Sequence, residues 1–321
     1  MVAVLSDQNG YFDINILDAM TGEKIKKLIK GNRGVDFEEL KWLQPGLSWS
    51  PDSKKIVFAA KAGKGDVLHV VEVETGKGEK YELDIEGVFS ASWSPLGNEI
   101  AYVGQSGNSS DIYIFDLNSQ ISKKITDDIF SDAYPTWSGD GKNIAFVSDR
   151  GNKISGEYDG FMYEHDYSQT DIYSVNVETK IIDRLTNSNH NESHPVWSKT
   201  SDNIFYTSDH NGVWNLYRHP ISESEDSEPI PVTNVLTGLQ QPTISGDDRL
   251  LIFAGYSGIG WDLYSMANPL TLKKQTVNPT QFILNGKTEN ESIADLRKHK
   301  SNMMSIIEES NKYADHVLAK G

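Results

Sequence analysis

The sequence predicts an all-β protein made of similar antiparallel sheets, and three observations lead to this prediction. A Trp-Ser dipeptide recurs at spacings of 44, 44 and 60 residues, and an Ile-Ser pair continues the series 47 residues later. Each dipeptide precedes a short turn, of which Gly139-Asp140-Gly141 is the clearest. Each turn precedes two β-rich runs, such as Ile144-Ala145-Phe146 and Asp171-Ile172-Tyr173.

The clearest copy of this unit starts near residue 134. Thr136 to Ser138 predicts a first strand, and Asn143 to Ser148 predicts a second strand that is buried on both faces. Asp171 to Val175 and Arg184 to Thr186 predict the third and fourth strands. A period of 40–50 residues with four short strands is typical of a propeller blade, because one such sheet cannot bury both faces by itself.

The first forty residues fit the same unit without its opening strand. Val2 to Leu5, Asp13 to Ile16 and Lys24 to Ile29 would be its second, third and fourth strands. The sequence therefore predicts a six-bladed β-propeller of four-stranded antiparallel blades, with the first blade incomplete. The residue before each repeated Ser, usually Trp, is expected to lie between neighbouring blades.

The end of the chain suggests how the ring closes. Leu272 to Thr276 would be the outer strand of the last blade, and Pro279 to Leu284 resembles another inner strand. We expect 279–284 to pair with Val2 to Leu5, although only three residues separate Thr276 from Pro279. This gives a propeller over 1–284 and a helical tail or linker over 285–321. Apolar residues of the tail recur at helical spacing: Ile293, Leu296, Met303, Ile307, Ala314 and Leu318.

Composition narrows the function classes. The chain has 321 residues, a net charge of −16 and no cysteine, so disulfides and Cys-ligated metals are excluded. Nucleic-acid binding needs a basic surface, which this composition does not supply. No apolar run approaches the ~18 residues of a membrane span, so no membrane insertion is expected. Met1 to Val4 leads directly into a strand, and no signal peptide is predicted.

Two regions are candidate binding sites for a protein or peptide ligand of a monomeric propeller. One region is the channel mouth, where three side chains occupy the same place in their repeats and a fourth, acidic residue lies close by: Tyr134, His194, Gln241 and Asp132. The other is the insertion Lys153 to Gln169, which is rich in aromatic residues. Its candidate contacts are Tyr158, Phe161, Tyr163, His165 and Tyr167, which could alternatively fold the insertion onto its blade.

Catalytic and metal motifs are weak. His190, Glu192 and His194 match no common ligand spacing, so no metal site is predicted. The stretch Gly255 to Ile259 lacks the last glycine of a nucleophile elbow, and no catalytic residue is assigned. Two alternatives stay open: a polysaccharide lyase or hydrolase with its site in the channel, and an accessory propeller of a peptidase. The acidic connection 31–43 would be a short helix over the channel mouth or a packed loop.

The repeat units resemble a known family. Residues 49–58 and 137–151, with the Asp-Ile-Tyr runs at 111–113 and 171–173, resemble the WD40-like (PD40) repeat of the TolB type, and the resemblance covers about residues 1–284. It implies a propeller of typically six blades that acts as a bacterial, extracytoplasmic binding module. We therefore expect a non-enzymatic, periplasmic module of a cell-envelope protein. No cofactor is expected, and calcium in the central channel is the only ion that the analogy suggests.

Overall fold

The computed structural model describes residues 1–8, 10, 12–31, 39–40, 46–62, 65–153, 165–221, 228–258, 260–281 and 283–285. These residues form six small antiparallel sheets that follow one another along the chain as the blades of a propeller. The all-β class and the six-bladed architecture predicted from the sequence are therefore confirmed.

The strands of the first three blades follow the predicted repeat. Blade 1 contains β1 (Val2–Ser6), β2 (Asp13–Leu17) and β3 (Lys24–Ile29). Blade 2 contains β4 (Glu39–Leu40), β5 (Ser48–Trp49), β6 (Lys55–Ala62), β7 (Gly65–Glu72) and β8 (Gly78–Glu82). Blade 3 contains β9 (Gly87–Trp93), β10 (Glu99–Ser106), β11 (Ser109–Asp116) and β12 (Ile121–Lys124).

The last three blades repeat the same strand order. Blade 4 contains β13 (Asp132–Trp137), β14 (Asn143–Ser148), β15 (Asp171–Asn176) and β16 (Ile182–Arg184). Blade 5 contains β17 (Glu192–Trp197), β18 (Asn203–Ser208), β19 (Asn215–Pro220) and β20 (Ile230–Pro231). Blade 6 contains β21 (Leu239–Ile244), β22 (Leu250–Ser257) and β23 (Gly260–Ala267), and a 3₁₀ turn follows at Pro269–Thr271.

The core lies between the blades because alternate residues of each strand point to opposite faces. In β6, Phe58 packs towards blade 1 while the adjacent Val57 packs towards blade 3. The predicted position of the repeated Trp is confirmed, since Trp137 is buried in the cluster between blades 3 and 4. Its indole N–H also donates to the Ser92 carbonyl of blade 3, at 3.1 Å.

The Ser that follows each Trp closes the turn between the first two strands. The Ser138 hydroxyl donates to Asp140 at 2.7 Å and accepts from the Asn143 N–H at 3.0 Å. In blade 5 the position of Asp140 is taken by Thr200, and Asp248 of blade 6 instead accepts from Ser198 at 2.7 Å. The recurrence of Ser and Asp in the sequence therefore reflects a hydrogen-bonded turn that can also join two blades.

The expected ring closure is wrong. Among the described residues, β1 pairs with β2 alone, and residues 281 and 283–285 are helical. The Thr280 N–H donates to the Asn211 carbonyl of blade 5 at 2.9 Å. Residues 272–276 are also not a strand, and the Gln275 N–H donates to Pro231 of blade 5 at 2.8 Å. The short connection before Pro279 explains this, because three residues cannot cross from the outer edge of a blade to the ring centre.

Three other expectations fall outside the described residues. The first is the helix or loop within 31–43, of which only Gly31 and β4 are described. The second is the greater part of the insertion, and the third is the helix over 291–318. The domain boundary at residue 284 stays a prediction. Within the described ranges, the structure contains no helix that is long and apolar enough to cross a membrane.

Candidate binding site at the channel mouth

The inner strands of the blades share a bulge at one position. In β13 the regular pairing with β14 is interrupted between Ala133 and Thr136, and β9, β17 and β21 are interrupted at the equivalent place. The residue three before each Trp or Ile adopts a left-handed backbone at this bulge. These residues are Gly46 (φ 57°), Ser90 (φ 50°), Tyr134 (φ 53°), His194 (φ 49°) and Gln241 (φ 53°).

A left-handed backbone is unfavourable for Tyr, His and Gln, so its recurrence at one position needs a reason. Glycine is required in blade 2, because a Cβ on Gly46 would overlap the backbone of Ser90 and Ala91. In blades 4, 5 and 6 a large side chain occupies the same strained position. A bulge redirects the side chain that it carries. The three residues predicted for the channel mouth therefore share a left-handed backbone at the bulge. Their residue types, Tyr, His and Gln, give no indication of it.

Tyr134 and His194 form an uncharged aromatic pair between blades 4 and 5. Their ring centroids are 4.4 Å apart, with an interplanar angle of 36°. Burial lowers the pKa of His194 to about 4 and raises the pKa of Tyr134, so both rings are neutral near pH 7. The His194 Nδ1 atom is buried without a hydrogen-bond partner. Gln241 is exposed.

Asp132 lies beneath the mouth, with 1% of its surface exposed. Its carboxylate accepts from the Arg150 guanidinium at 2.6 Å, and Arg150 also reaches Asp128 at 3.0 Å. Burial raises the pKa of Asp132 to about 6 against the opposing effect of Arg150. The geometry thus gives Asp132 a structural contact, the anchoring of Arg150, rather than a place on the mouth surface.

Arg150 holds the start of the insertion against blade 4. Its guanidinium lies over the rings of Phe130, Phe146 and Tyr173, at 5.8, 5.2 and 5.5 Å. Such cation–π contacts are strong when they are desolvated, and Arg150 is 1% exposed. The next carbonyl, that of Gly151, accepts from the Tyr173 hydroxyl at 2.6 Å.

The far end of the insertion returns to the same place. His165 Nε2 lies 3.3 Å from the Asp149 carboxylate, and the His165 ring packs on Phe130 with centroids 5.2 Å apart. Tyr167 meets His165 edge-on and is 57% exposed. Tyr158, Phe161 and Tyr163 lie outside the described residues. Of the predicted insertion contacts, the structure therefore places one buried anchor and one exposed aromatic ring.

A buried acidic cluster between blades 4 and 5 was not predicted. Glu192 accepts from the hydroxyls of Ser188 at 2.6 Å and Thr186 at 3.3 Å, and burial raises its pKa to about 8. The neighbouring Asp171 pairs with Arg184 at 2.6 Å. Asp171 and Asn215 begin the third strands of their blades, and Asp111 lies two residues after the start of β11. The recurring first residue of Asp-Ile-Tyr was therefore the available signal. The cluster is enclosed and hydrogen-bonded, which suits a structural contact.

Two further observations concern groups that could serve metal binding or acid–base chemistry. Across the part of the chain that the structure describes, no three His, Cys, Asp or Glu side chains are grouped so as to hold a metal ion. Burial raises the pKa of four described carboxyl groups, and each of them is hydrogen-bonded: Asp111, Asp132, Asp171 and Glu192. At the three aligned positions the structure places a neutral aromatic pair, Tyr134 with His194, and the exposed side chain of Gln241.

Comparison with known proteins supports the predicted resemblance. Residues 39–155, which cover blades 2 and 3 and part of blade 4, match the family described as the TolB beta propeller domain. Among curated proteins, none matches the sequence significantly. The similarity to the TolB beta propeller domain is thus shown for residues 39–155, within a chain that folds as a six-bladed propeller.

Solved structures of similar fold include two TolB proteins and a lyase. TolB from Acinetobacter baumannii is 19% identical with a TM-score of 0.62, over 83% of this chain and 60% of that protein. The putative TolB from Agrobacterium tumefaciens is 18% identical with a TM-score of 0.63, over 80% and 85% of the two chains. An oligogalacturonate lyase in complex with manganese is 13% identical with a TM-score of 0.53, over 86% and 72%. At these identities the similarity shows a shared fold, and the chain spans 60% of the Acinetobacter protein.

Proposed function

We propose that this chain is a non-enzymatic module that binds a protein or peptide at the mouth of its propeller channel. The observation that carries the proposal is the repeated left-handed backbone at Tyr134, His194 and Gln241. Strained backbone that is retained for large side chains is concentrated at functional sites, because packing alone would favour glycine there.

The chemistry of the mouth suits a peptide. Tyr134 and His194 form a flat contact surface whose rings are held by packing, so little side-chain entropy is lost when a ligand binds. Gln241 supplies both a hydrogen-bond donor and an acceptor for a peptide backbone. The net charge of −16 favours ligand segments with basic residues. The exposed ring of Tyr167 would extend the contact surface along the insertion.

The resemblance to TolB-type repeats supports the cellular setting that we propose. Propellers of this type imply a bacterial, extracytoplasmic protein, so we place the module in the periplasm as a monomer attached to the cell-envelope machinery. Neither a resident cofactor nor a metal is part of the proposal.

Peptide selection would test the binding site. A random peptide library would be selected on the wild-type protein, and the enriched peptides would be titrated by calorimetry against Tyr134→Ala and His194→Ala. Each variant is expected to weaken binding about tenfold or more, as loss of a central aromatic contact does. Ile181→Ala, immediately before the outer strand of blade 4, is the matched control and should bind like the wild type. Equal affinity in all four proteins would refute the mouth as the site.

A carbohydrate lyase is the second candidate, favoured by the fold shared with the oligogalacturonate lyase and by a histidine on an inner strand. An assay of oligogalacturonate cleavage with added Mn²⁺ separates the two functions. Binding without turnover supports the proposed module, whereas turnover that His194→Ala abolishes would establish the enzyme instead.

A further inference from the structure

Five of the six junctions between blades contain a cluster of buried apolar side chains. Ile14 joins blade 1 to blade 2, and Leu216 and Leu251 join blade 5 to blade 6. The junctions 2/3, 3/4 and 4/5 have clusters of the same kind. In the described part of the chain, no cluster joins blade 6 to blade 1. The face of blade 6 that points away from blade 5 is therefore the one sheet face without an apolar partner among these clusters.

That face carries large apolar side chains in solvent. Cross-strand pairing of Tyr256 with Trp261 and of Ala254 with Leu263 places these residues on one side of blade 6. Tyr256 is 41% exposed, Trp261 54% and Leu263 46%. The two aromatic rings meet edge-on with centroids 5.6 Å apart. A contiguous apolar patch of this kind marks an interaction surface more often than scattered exposed residues do.

The outer edge of blade 6 is open as well. The long outer strand β23 pairs with β22 and has no second neighbour among the described strands, whereas the third strands of blades 2 to 5 each have one. Natural sheets rarely leave a long apolar edge uncovered, because it can pair with other chains. We therefore expect another segment to cover both the exposed apolar face of blade 6 and its unpaired edge strand β23.

We propose that residues 286–321 of the same chain cover this surface of blade 6. The described chain ends at Asn285, immediately after Thr280 and Ile283 dock on the hairpin of blade 5 at Gly212. That hairpin and the Ser257–Gly260 hairpin of blade 6 both connect the second strand of a blade to the third, so they lie at the same end of adjacent blades. The segment thus starts on the blade next to blade 6, at the end of the propeller where the Ser257–Gly260 hairpin lies.

The sequence of 286–321 fits this role. Its apolar residues recur at helical spacing and would present one apolar stripe to Trp261 and Leu263. A helix of this length would span about 50 Å, which is ample to reach the neighbouring blade. Lys and Glu residues occupy the intervening positions, as expected for a surface segment with one buried face. A second copy of the chain is the competing occupant.

Cross-linking in the full chain tests the proposal cleanly, since the protein has no native cysteine. The pair Leu263→Cys with Ile307→Cys would be treated with a short bis-maleimide. The matched control combines Ile307→Cys with Ile181→Cys, another exposed apolar site, on blade 4. Mass spectrometry would distinguish linkage within one chain from linkage between two chains.

The proposal predicts an intramolecular product at least about tenfold more abundant with Leu263→Cys than with the control, because docking raises the local concentration of the segment. Equal yields with both pairs, or no product with either, would overturn it. Linkage between two chains would also overturn it, in favour of a second copy.

Hydrogen–deuterium exchange of the full chain gives an independent readout that does not depend on cysteine geometry. The double variant Ile293→Asp and Ile307→Asp is expected to release the segment and to speed exchange in peptides from β23 by about tenfold. Peptides from β12 of blade 3 should be unchanged. Identical exchange of β23 in the wild type and the variant would contradict the proposal.

Discussion

The junction between blades 4 and 5 and the surface of blade 6 that faces blade 1 show two outcomes of the same repeat. At the 4/5 junction, Trp197 and Tyr206 are buried in an apolar cluster, and the polar groups around Glu192 are hydrogen-bonded. On blade 6, Trp261 and Leu263 occupy a similar sheet face but are largely in solvent. The local sequences fold alike, so the difference lies in what each face packs against.

This comparison shows that a blade's structure comes from its repeat, whereas its stability comes from its neighbours. An isolated sheet gains little from apolar side chains that stay in water. The mouth is also built where two well-packed blades meet, since Tyr134 and His194 belong to blades 4 and 5. A packed junction between blades can hold a strained backbone conformation in place. At an open junction the backbone could relax to an unstrained conformation.

The largest expected effect comes from replacing one Trp at the 4/5 junction and one Trp on blade 6 by Ala and comparing the losses of stability. Trp197→Ala is expected to lower the free energy of unfolding by about 3–5 kcal/mol, because it leaves a cavity between two blades. Trp261→Ala should lower it by less, because the described residues leave 54% of Trp261 exposed and the segment proposed to cover it is not a packed blade. Urea unfolding followed by circular dichroism measures both values. Equal losses would mean that the two surfaces are packed alike.

Removing the buried charge of Arg150 in blade 4 should lower the free energy of unfolding by nearly as much as Trp197→Ala does. Arg150→Met would leave Asp132 buried without its partner, and we expect a loss of about 3 kcal/mol in unfolding free energy. The double variant Arg150→Met with Asp132→Asn should recover most of it, because the remaining carboxylate that loses its partner, Asp128, is partly exposed to solvent. Thermal and urea unfolding of the three proteins provide the check, and a double variant no more stable than the single would contradict this explanation.

Glu192 should make the 4/5 junction sensitive to pH. Its pKa rises from 4.5 to about 8 on folding, so between these values the folded protein binds more protons than the unfolded chain. Stability should therefore fall as pH rises from 4.5 to 8. Glu192→Gln removes this dependence and should be more stable than the wild type at pH 8 by about 1 kcal/mol or more. Unfolding curves at pH 5 and pH 8 test the sign, and parallel pH profiles would refute it.

Much of the fold could be predicted from sequence because the repeat is local. The Trp-Ser pair, its turn and the Asp-Ile-Tyr run each report on neighbouring residues, and the order of strands follows from them. The role of residues 272–284 could not be predicted in this way, since their docking on Asn211 and Pro231 joins distant parts of the chain.

Only part of the candidate binding site could be predicted from the sequence, because its geometry also depends on contacts between distant residues. Aligning the repeats brought Tyr134, His194 and Gln241 to one position, but residue type does not reveal a left-handed backbone in Tyr, His or Gln. Asp132 was predicted at the mouth, and its burial and its ion pair with Arg150 join residues that are separated in sequence. Buried ion pairs and bulge geometry depend on such contacts and need a structure to be seen.

The most direct test of the central claim, that backbone strain at the mouth serves ligand binding, uses Gln241. Its side chain is exposed, so Gln241→Gly relieves the left-handed backbone with little loss of packing. We predict that the variant gains about 1 kcal/mol in unfolding free energy while its affinity for the selected peptide falls. Gln241→Ala, which keeps the strain but removes the amide, should lose affinity without that gain. A Gln241→Gly protein that is no more stable than the wild type, or that binds the peptide equally well, would contradict the claim.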